Sequence, residues 1–190
     1  KRGIKDVVLN MGGMHNLENA IAAIAVAMHL DIEEEKIRKA VGNFEGVKRR
    51  FEYVVKTNDR VVIDDYAHHP EELRALIKGA KHLFPTKKCT VLFQPHLFSR
   101  TNDLADGFAE VLSLADETIL LPIYPARELP MPGVTSALIL DKMTNEKRSV
   151  KEKEELLSWL KENDTALLII SGAGDIDAMV EPIKEIIKNK

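Results

Sequence analysis

Two aspartates and two histidines lie close together in the stretch from Val61 to Glu72, which reads VVIDDYAHHPEE. An apolar run, Val61–Ile63, ends abruptly at Asp64, and Pro70 with two glutamates follows His69. This order predicts a buried strand, a short turn, and a helix with proline at its first position and acids in its first turn. Ligand clefts in α/β sheets lie at the carboxyl ends of such strands. We therefore expect these polar side chains to lie where the fold carries out its chemistry.

Three interpretations of this turn remain open. Asp64 and Asp65 could cap the following helix with both histidines on the surface, although a turn needs only one capping group. The aspartates could instead hold a metal with His68, His69 and His96, as in a metal-dependent phosphoesterase. Adjacent histidines on a turn usually point apart, however, and the sequence has no His-x-x-x-His ligand pair. A cluster of titratable groups at a strand end is more typical of a catalytic or binding site.

Three further polar clusters lie at expected strand ends or domain edges: Lys48–Arg50, Gln94–Arg100 and Ser171–Asp175. Arg50 and Arg100 are candidates to clamp a phosphate or carboxylate, because a guanidinium donates two parallel hydrogen bonds. A single arginine also often forms only a surface ion pair. The Ser-Gly-Ala-Gly loop resembles half of a dinucleotide fingerprint, but its third glycine is absent and it follows the last strand. A nicotinamide-binding module is therefore disfavoured.

Two asparagines share one face near the start of a predicted alanine-rich helix that runs through Met28. Asn16 is suited to an ordinary helix cap. Asn19 lies inside the helix, where asparagine is unfavourable unless it binds something. We therefore interpret Asn19 as a candidate ligand-binding residue. A short strand is predicted just before this helix, at Asp6–Asn10.

Strands and helices alternate after the first helical segment. Apolar runs predict strands at residues 51–56, 60–64, 89–93, 117–121 and 166–170, with helices between them. The predicted fold is α/β, with a mostly parallel sheet and helices on both faces. A domain boundary is expected near Gly46. Because consecutive strands of such a sheet often lie side by side, we expect His96 to approach Tyr66 and His68.

The composition is that of an ordinary globular protein, with 190 residues and a formal net charge of −3, which does not indicate nucleic-acid binding. No apolar run reaches the ~20 residues of a membrane span, and no signal peptide is visible. A single cysteine, Cys89, excludes an internal disulfide and a cysteine-based zinc site, and fits a reducing cytosol. The chain begins at Lys1 without methionine, so we expect a fragment of a longer polypeptide.

Five longer stretches include every polar cluster above except Ser171–Asp175. They are GGMHNLENAIAAIA (12–25), FEGVKRRFE (44–52), DDYAHHPEE (64–72), FQPHLFSRT (93–101) and IYPARELPMPGVTS (123–136). Together they resemble the Mur ligases, the ATP-dependent amide-forming enzymes of peptidoglycan synthesis. The resemblance covers nearly the whole chain in order. Tyr66 and the QPHLFSR loop resemble the branch that joins L-alanine to UDP-N-acetylmuramate more than the tripeptide-recycling muramate ligases.

The resemblance implies a bacterial cytoplasmic enzyme of three domains: a UDP-binding domain, an ATPase domain with a phosphate loop, and a Rossmann-like C-terminal domain. Residues 1–46 would be the helical C-terminal tail of the ATPase domain, and 47–190 the complete C-terminal domain. No Gly-x-x-Gly-Lys-Thr loop is present in the sequence. ATP and Mg²⁺ would therefore be held largely by residues of the missing N-terminal and central domains, ahead of Lys1. This chain alone is expected to be inactive, as a non-catalytic binding module.

The resemblance also implies roles for individual residues. The nucleotide-binding residues would be Asn16, Asn19 at the adenine, Arg50 at the phosphates and Asp65 at the ribose hydroxyls. Those facing the muramate carboxylate and the alanine would be Tyr66, His68, His69, His96 and Arg100. His68 and Arg100 would be catalytic, and no residue of the chain would bind a metal. The implied reaction is phosphorylation of the muramate carboxylate by ATP, followed by attack of the alanine amine on the acyl phosphate.

Overall fold

A single sheet forms the centre of the computed structural model, which describes residues 3–190. Its strands are β1 (Glu52–Lys56), β2 (Val61–Asp65), β3 (Cys89–Phe93), β4 (Glu117–Leu120), β5 (Lys147–Val150) and β6 (Leu167–Ser171). They lie in the order β1-β2-β6-β3-β4-β5. The edge strand β1 pairs antiparallel with β2, and the other pairs are parallel. The predicted α/β class with a mostly parallel sheet is confirmed.

Helices cover both faces of the sheet. They are α1 (Met14–His29), α2 (Glu34–Gly42), α3 (Pro70–Leu83), α4 (Phe98–Asp103), α5 (Ala105–Leu112), α6 (Ala137–Leu140), α7 (Lys153–Glu162) and α8 (Val180–Lys188), with a 3-10 helix at Asp175–Met179. Alternate residues of β2 enter different cores: Ile63 packs with α3 and α5, and Val62 with α7 and α8. No helix within residues 3–190 is both long and apolar enough to cross a membrane.

Three local predictions differ from the structure. The predicted strand at Asp6–Asn10 is wrong, because these residues have no strand partner among those described. This part of the chain contacts α2 instead: the Asn10 amide donates to the Gly42 carbonyl, and Arg38 Nε donates to the carbonyl of the preceding Lys5 at 3.0 Å. The expected loop at Gln94–Arg100 becomes helical at Phe98, and the helix predicted after it is broken at Leu104. Strand β5 was not predicted, because its KRSV sequence lies at an exposed edge and carries no apolar pattern.

The expectation that β2 and β3 are neighbours is wrong. Strand β6 lies between them, so that Asp65 pairs with Ser171 and Ser171 pairs with Phe93. Its apolar residues are fully buried, as the central position of a parallel sheet requires. The expected approach of His96 to His68 is nevertheless observed, with ring centroids 6.5 Å apart. The loops after β2 and β3 therefore meet above the end of β6.

Candidate functional site

A cavity of about 450 Å³ lies at the carboxyl end of β2. Its lining includes Asn19 from α1, Arg50 from the segment before β1, and Asp65 from the end of β2. Tyr66 and His68 line the same cavity. The structure thus brings together three of the four residues predicted to bind a nucleotide, and places two predicted substrate-binding residues beside them.

The carboxylate of Asp65 organises the wall of this cavity. It is buried, and its Oδ2 accepts a hydrogen bond from the Phe51 N–H at 2.7 Å, while its Oδ1 accepts one from the Ala67 N–H at 2.8 Å. An ionised carboxylate has about four acceptor positions. Asp65 can therefore hold both backbone segments and also accept hydrogen bonds from ligand hydroxyls.

His69 begins helix α3 and does not line the cavity. Its Nδ1 accepts from the Glu71 N–H at 3.4 Å, and Glu72 accepts from the His69 N–H at 3.2 Å, which together form a capping box. The alternative in which Asp64 and Asp65 cap α3 is therefore wrong. The predicted substrate-binding role of His69 has no geometric support here, since its side chain serves the helix end.

Asn16 supports the turn before α1 and is not the residue that caps it. The N-cap is Gly13, and the buried Asn16 amide donates to the Gly12 carbonyl at 2.7 Å. Asn16 lies in a neighbouring, mostly apolar pocket of about 370 Å³, which Asn19 also lines. Of the two asparagines, Asn19 is therefore the one that faces the cavity containing Asp65.

Four rings form a row along the carboxyl edge of the sheet. Tyr66 contacts His68 at 5.1 Å between centroids, and His96 stacks on Tyr124 at 5.7 Å. The 6.5 Å contact between His68 and His96 joins these two pairs. Tyr124 follows β4 and was given no role by the sequence analysis. Its position just after a predicted strand is the signal that could have identified it. This ring row, formed by Tyr66, His68, His96 and Tyr124, extends from the cavity toward Arg100.

Polar atoms with unused bonding capacity lie at the far end of the ring row. His96 Nδ1 and Arg100 Nη1 are buried, and neither has a hydrogen-bond partner within residues 3–190. Burial lowers the pKa of His96, and the nearby positive charges of Arg100 and His68 lower it further. Buried donors without acceptors are uncommon in folded proteins, and a guanidinium there is suited to carboxylate or phosphoryl oxygens.

Asp64 lies on the opposite face of the sheet from Asp65, as consecutive strand residues must. Burial raises its pKa to about 6, against the opposing effect of Arg49, whose Nε lies 3.5 Å from its Oδ2. Two aspartates on opposite faces cannot share a metal ion. Among the residues that the structure describes, no group of three or more His, Cys, Asp or Glu is arranged to hold one. The geometry therefore gives no support to the phosphoesterase interpretation.

The Ser171–Asp175 loop is fixed to the end of β3. Gln94 is buried, donates to Asp175 Oδ1 at 2.8 Å and accepts from the Ile176 N–H at 2.9 Å. Gly172 has a φ of +146°, and a Cβ there would lie 2.8 Å from the Gln94 carbonyl oxygen. The glycine is thus required by close backbone packing, which explains the partial likeness to a dinucleotide loop without a nucleotide.

Gly172→Ala should destabilise the protein by about 2–4 kcal/mol, because it combines an unfavourable φ with a clash against backbone. The matched control is Gly133→Ala, at a φ of +77° with nothing within 4 Å of the added Cβ. The free energy of unfolding of the control should fall only by the ~1–2 kcal/mol that a side chain costs in the left-handed backbone conformation. Urea unfolding of the two variants measures the difference, and equal losses would contradict the packing argument.

Known proteins resemble this chain over almost its whole length. UDP-N-acetylmuramate–L-alanine ligase of Flavobacterium johnsoniae is 49% identical over 97% of the chain and 41% of the relative. The enzyme of the same name from Flavobacterium psychrophilum is 46% identical over 98% of the chain and 42% of the relative. The crystal structure of UDP-N-acetylmuramate–alanine ligase from Thermotoga maritima superposes with a TM-score of 0.77 at 30% identity, covering 96% of this chain and 40% of that one.

These relatives are ligases, and the chain spans about two fifths of their length. Residues 49–174 match the family described as Mur ligase, glutamate ligase domain. That match begins just before β1 and ends in the loop after β6, so it covers the strands of the sheet. The chain therefore belongs to the Mur ligase family and contains its C-terminal domain.

Proposed function

We propose that this chain is the C-terminal part of an ATP-dependent ligase that joins L-alanine to UDP-N-acetylmuramate in peptidoglycan synthesis in the bacterial cytoplasm. The observation that carries the proposal is the single cavity lined by Asn19, Arg50 and Asp65, which continues into the ring row. The names of the relatives support the substrate assignment. The tripeptide-recycling muramate ligase remains the alternative within the family.

The nucleotide half of the site fits ATP by the chemistry of its donors and acceptors. The Asn19 amide can both donate to and accept from the edge of the adenine. Arg50 presents a planar fork suited to phosphate oxygens, and Asp65 presents acceptors suited to ribose hydroxyls. The phosphate loop and the residues that would hold Mg²⁺ are proposed to lie outside this chain, and ATP bound between the two parts would supply the phosphoryl group that activates the muramate carboxylate as an acyl phosphate.

The amino-acid half of the site holds the incoming alanine and takes up a proton. Arg100, beside His96, binds a carboxylate through its guanidinium, whose buried Nη1 has no partner among the described residues. His68 Nδ1 lies 3.0 Å from the Tyr66 carbonyl and 3.5 Å from Glu72 Oε2, and both neighbours are acceptors. The proton of a neutral His68 therefore belongs on Nδ1, and Nε2 is left as the base for the proton of the attacking amine.

We also propose that residues 1–46 are the tail of the central ATP-binding domain and that 47–190 form the C-terminal domain. Helix α1 exposes large apolar side chains at the spacing of a single helix face: Met14 at 69%, Leu17 at 44% and Ile21 at 57%. A contiguous exposed apolar surface indicates an interaction site. The N-terminal and central domains of the same polypeptide are the partners proposed to cover it.

The experiment compares this chain alone with the full-length polypeptide. The chain alone should bind ATP weakly and release no phosphate, because it lacks a phosphate loop. The full-length enzyme should release phosphate only when both UDP-N-acetylmuramate and L-alanine are present. Alanine-dependent phosphate release by the chain alone would refute the proposal that catalysis needs a phosphate loop from outside this chain. Turnover with a tripeptide but not with alanine would select the recycling ligase.

A further inference from the structure

The bend that carries Arg50 has an unusual backbone. The residues on each side of it, Arg49 and Phe51, have φ angles of 58° and 53°. Left-handed φ angles are uncommon for residues other than glycine, and they persist only where surrounding contacts impose them. The two neighbouring aspartates supply contacts on opposite sides of Arg50. Asp65 accepts the Phe51 N–H at 2.7 Å, and Asp64 Oδ2 lies 3.5 Å from Arg49 Nε.

Arg49 joins the bend to three other parts of the site. Its guanidinium donates to the Gly172 carbonyl at the end of β6 and lies 3.8 Å from Asp177 Oδ2. The same group lies over the Tyr66 ring, 5.1 Å from the centroid. The backbone carbonyl of Arg49 accepts a hydrogen bond from the Tyr66 N–H at 2.8 Å. Tyr66 is therefore held twice by Arg49, once at the backbone and once at the ring.

We propose that Arg49 and Asp64 are positioning residues that set both halves of the site at once. Together they hold the bend so that Arg50 faces the nucleotide phosphates, and they hold Tyr66 at the start of the ring row. This inference rests on the proposed function, since it concerns the substrates of that same site. It assigns a role to Asp64, which lies on the face of the sheet away from the cavity.

The charge of Asp64 lets an experiment distinguish a positioning role from a contribution to folding stability. The carboxylate is buried, and Glu52, Asp65 and Asp177 add negative charge around it while Arg49 offsets them. Burial raises its folded-state pKa to about 6 from the model-compound value of 3.8, so folding stability falls as pH rises from about 4 to 6. The ionised Asp64 is thus unfavourable for stability at neutral pH. Removing its charge should relieve that cost while weakening the hold on Arg49.

The test uses the full-length enzyme with Asp64→Asn and Arg49→Lys. Both variants should lower kcat/KM for alanine and raise KM for ATP by about tenfold to a hundredfold, the range for losing a hydrogen bond or ion pair to a charged group. Asp64→Asn should melt at or above the wild-type temperature at pH 7.5. The matched control is Arg60→Lys, at an arginine paired with Asp164 at 3.1 Å on another part of the surface. It should change neither constant.

Each outcome of these measurements either supports or overturns the positioning roles of Arg49 and Asp64. Unchanged kinetics in Asp64→Asn, or a loss that follows a lowered melting temperature, would overturn the positioning roles. A loss confined to one substrate would also overturn them, because the inference requires both halves to be affected. A wild-type enzyme without alanine-dependent phosphate release would refute the proposed function itself, and this inference with it.

Discussion

Arg100→Lys should lower kcat/KM for alanine about tenfold to a hundredfold or more and leave the affinity for ATP nearly unchanged. Arg100 Nη1 is buried without a partner among the described residues, so a substrate carboxylate is the acceptor that we expect there. A guanidinium holds a carboxylate through two hydrogen bonds in one plane, which a single ammonium cannot reproduce. Hydrogen bonds to charged groups contribute about 1.5–3 kcal/mol each, which converts to the expected loss.

Steady-state kinetics on the full-length enzyme, with each substrate varied in turn, provides the measurement for Arg100→Lys. Arg60→Lys serves as the control, since Arg60 pairs with Asp164 just before β2, at the opposite end of that strand from the cleft. The control should leave both constants unchanged. A loss in ATP affinity with unaltered alanine kinetics would move Arg100, and the loop that carries it, to the nucleotide half.

Asp65→Asn is expected to raise KM for ATP strongly, to change KM for alanine little, and also to lower the melting temperature. The carboxylate accepts two backbone N–H groups, from Phe51 and Ala67, one on each oxygen. An asparagine amide offers only one oxygen, so one buried N–H loses its acceptor at a cost of about 1–3 kcal/mol. The same substitution removes charge-assisted hydrogen bonds to the ribose hydroxyls, which are about twice as strong as neutral ones.

The two effects of Asp65→Asn can be measured separately. Thermal unfolding without ligand reports the lost backbone contact, and KM for ATP, measured well below the melting temperature, reports nucleotide binding. Asp164→Asn, at a surface aspartate paired with Arg60, is the control for both. A lowered melting temperature with an unchanged KM for ATP would leave Asp65 with a structural role and remove it from the nucleotide site.

Much of the candidate site could be located from the sequence because its residues follow strands that are recognisable from their runs of apolar residues. Strand β2 is recognisable from its buried apolar residues, and Pro70 with its two glutamates marks the start of α3. The turn between them was therefore located correctly, with Asp65, Tyr66 and His68 at a strand's carboxyl end. Local sequence determines these features, because capping and burial act over a few residues.

Features that depend on distant contacts could not be predicted. The insertion of β6 between β2 and β3 depends on packing across the whole sheet, and sequence order suggested the wrong neighbour. The capping role of His69 was not predicted, since the residue type alone suits either a helix cap or a substrate contact. Arg49 was given no role by the sequence analysis, because its φ angle and its contacts with Asp64 and Gly172 become visible only in the structure.

The central location of β6 has a consequence for biosynthesis. Because the ribosome produces β6 after every other strand, the nascent polypeptide carries β2 and β3 with no strand yet between them. Unpaired strand edges promote aggregation, so we expect the emerging domain to be most prone to aggregation during this interval. A translation product that stops before Leu167 would lack the strand that joins β2 to β3 beneath the candidate site. Incomplete products should therefore be recognised by proteases as unfolded.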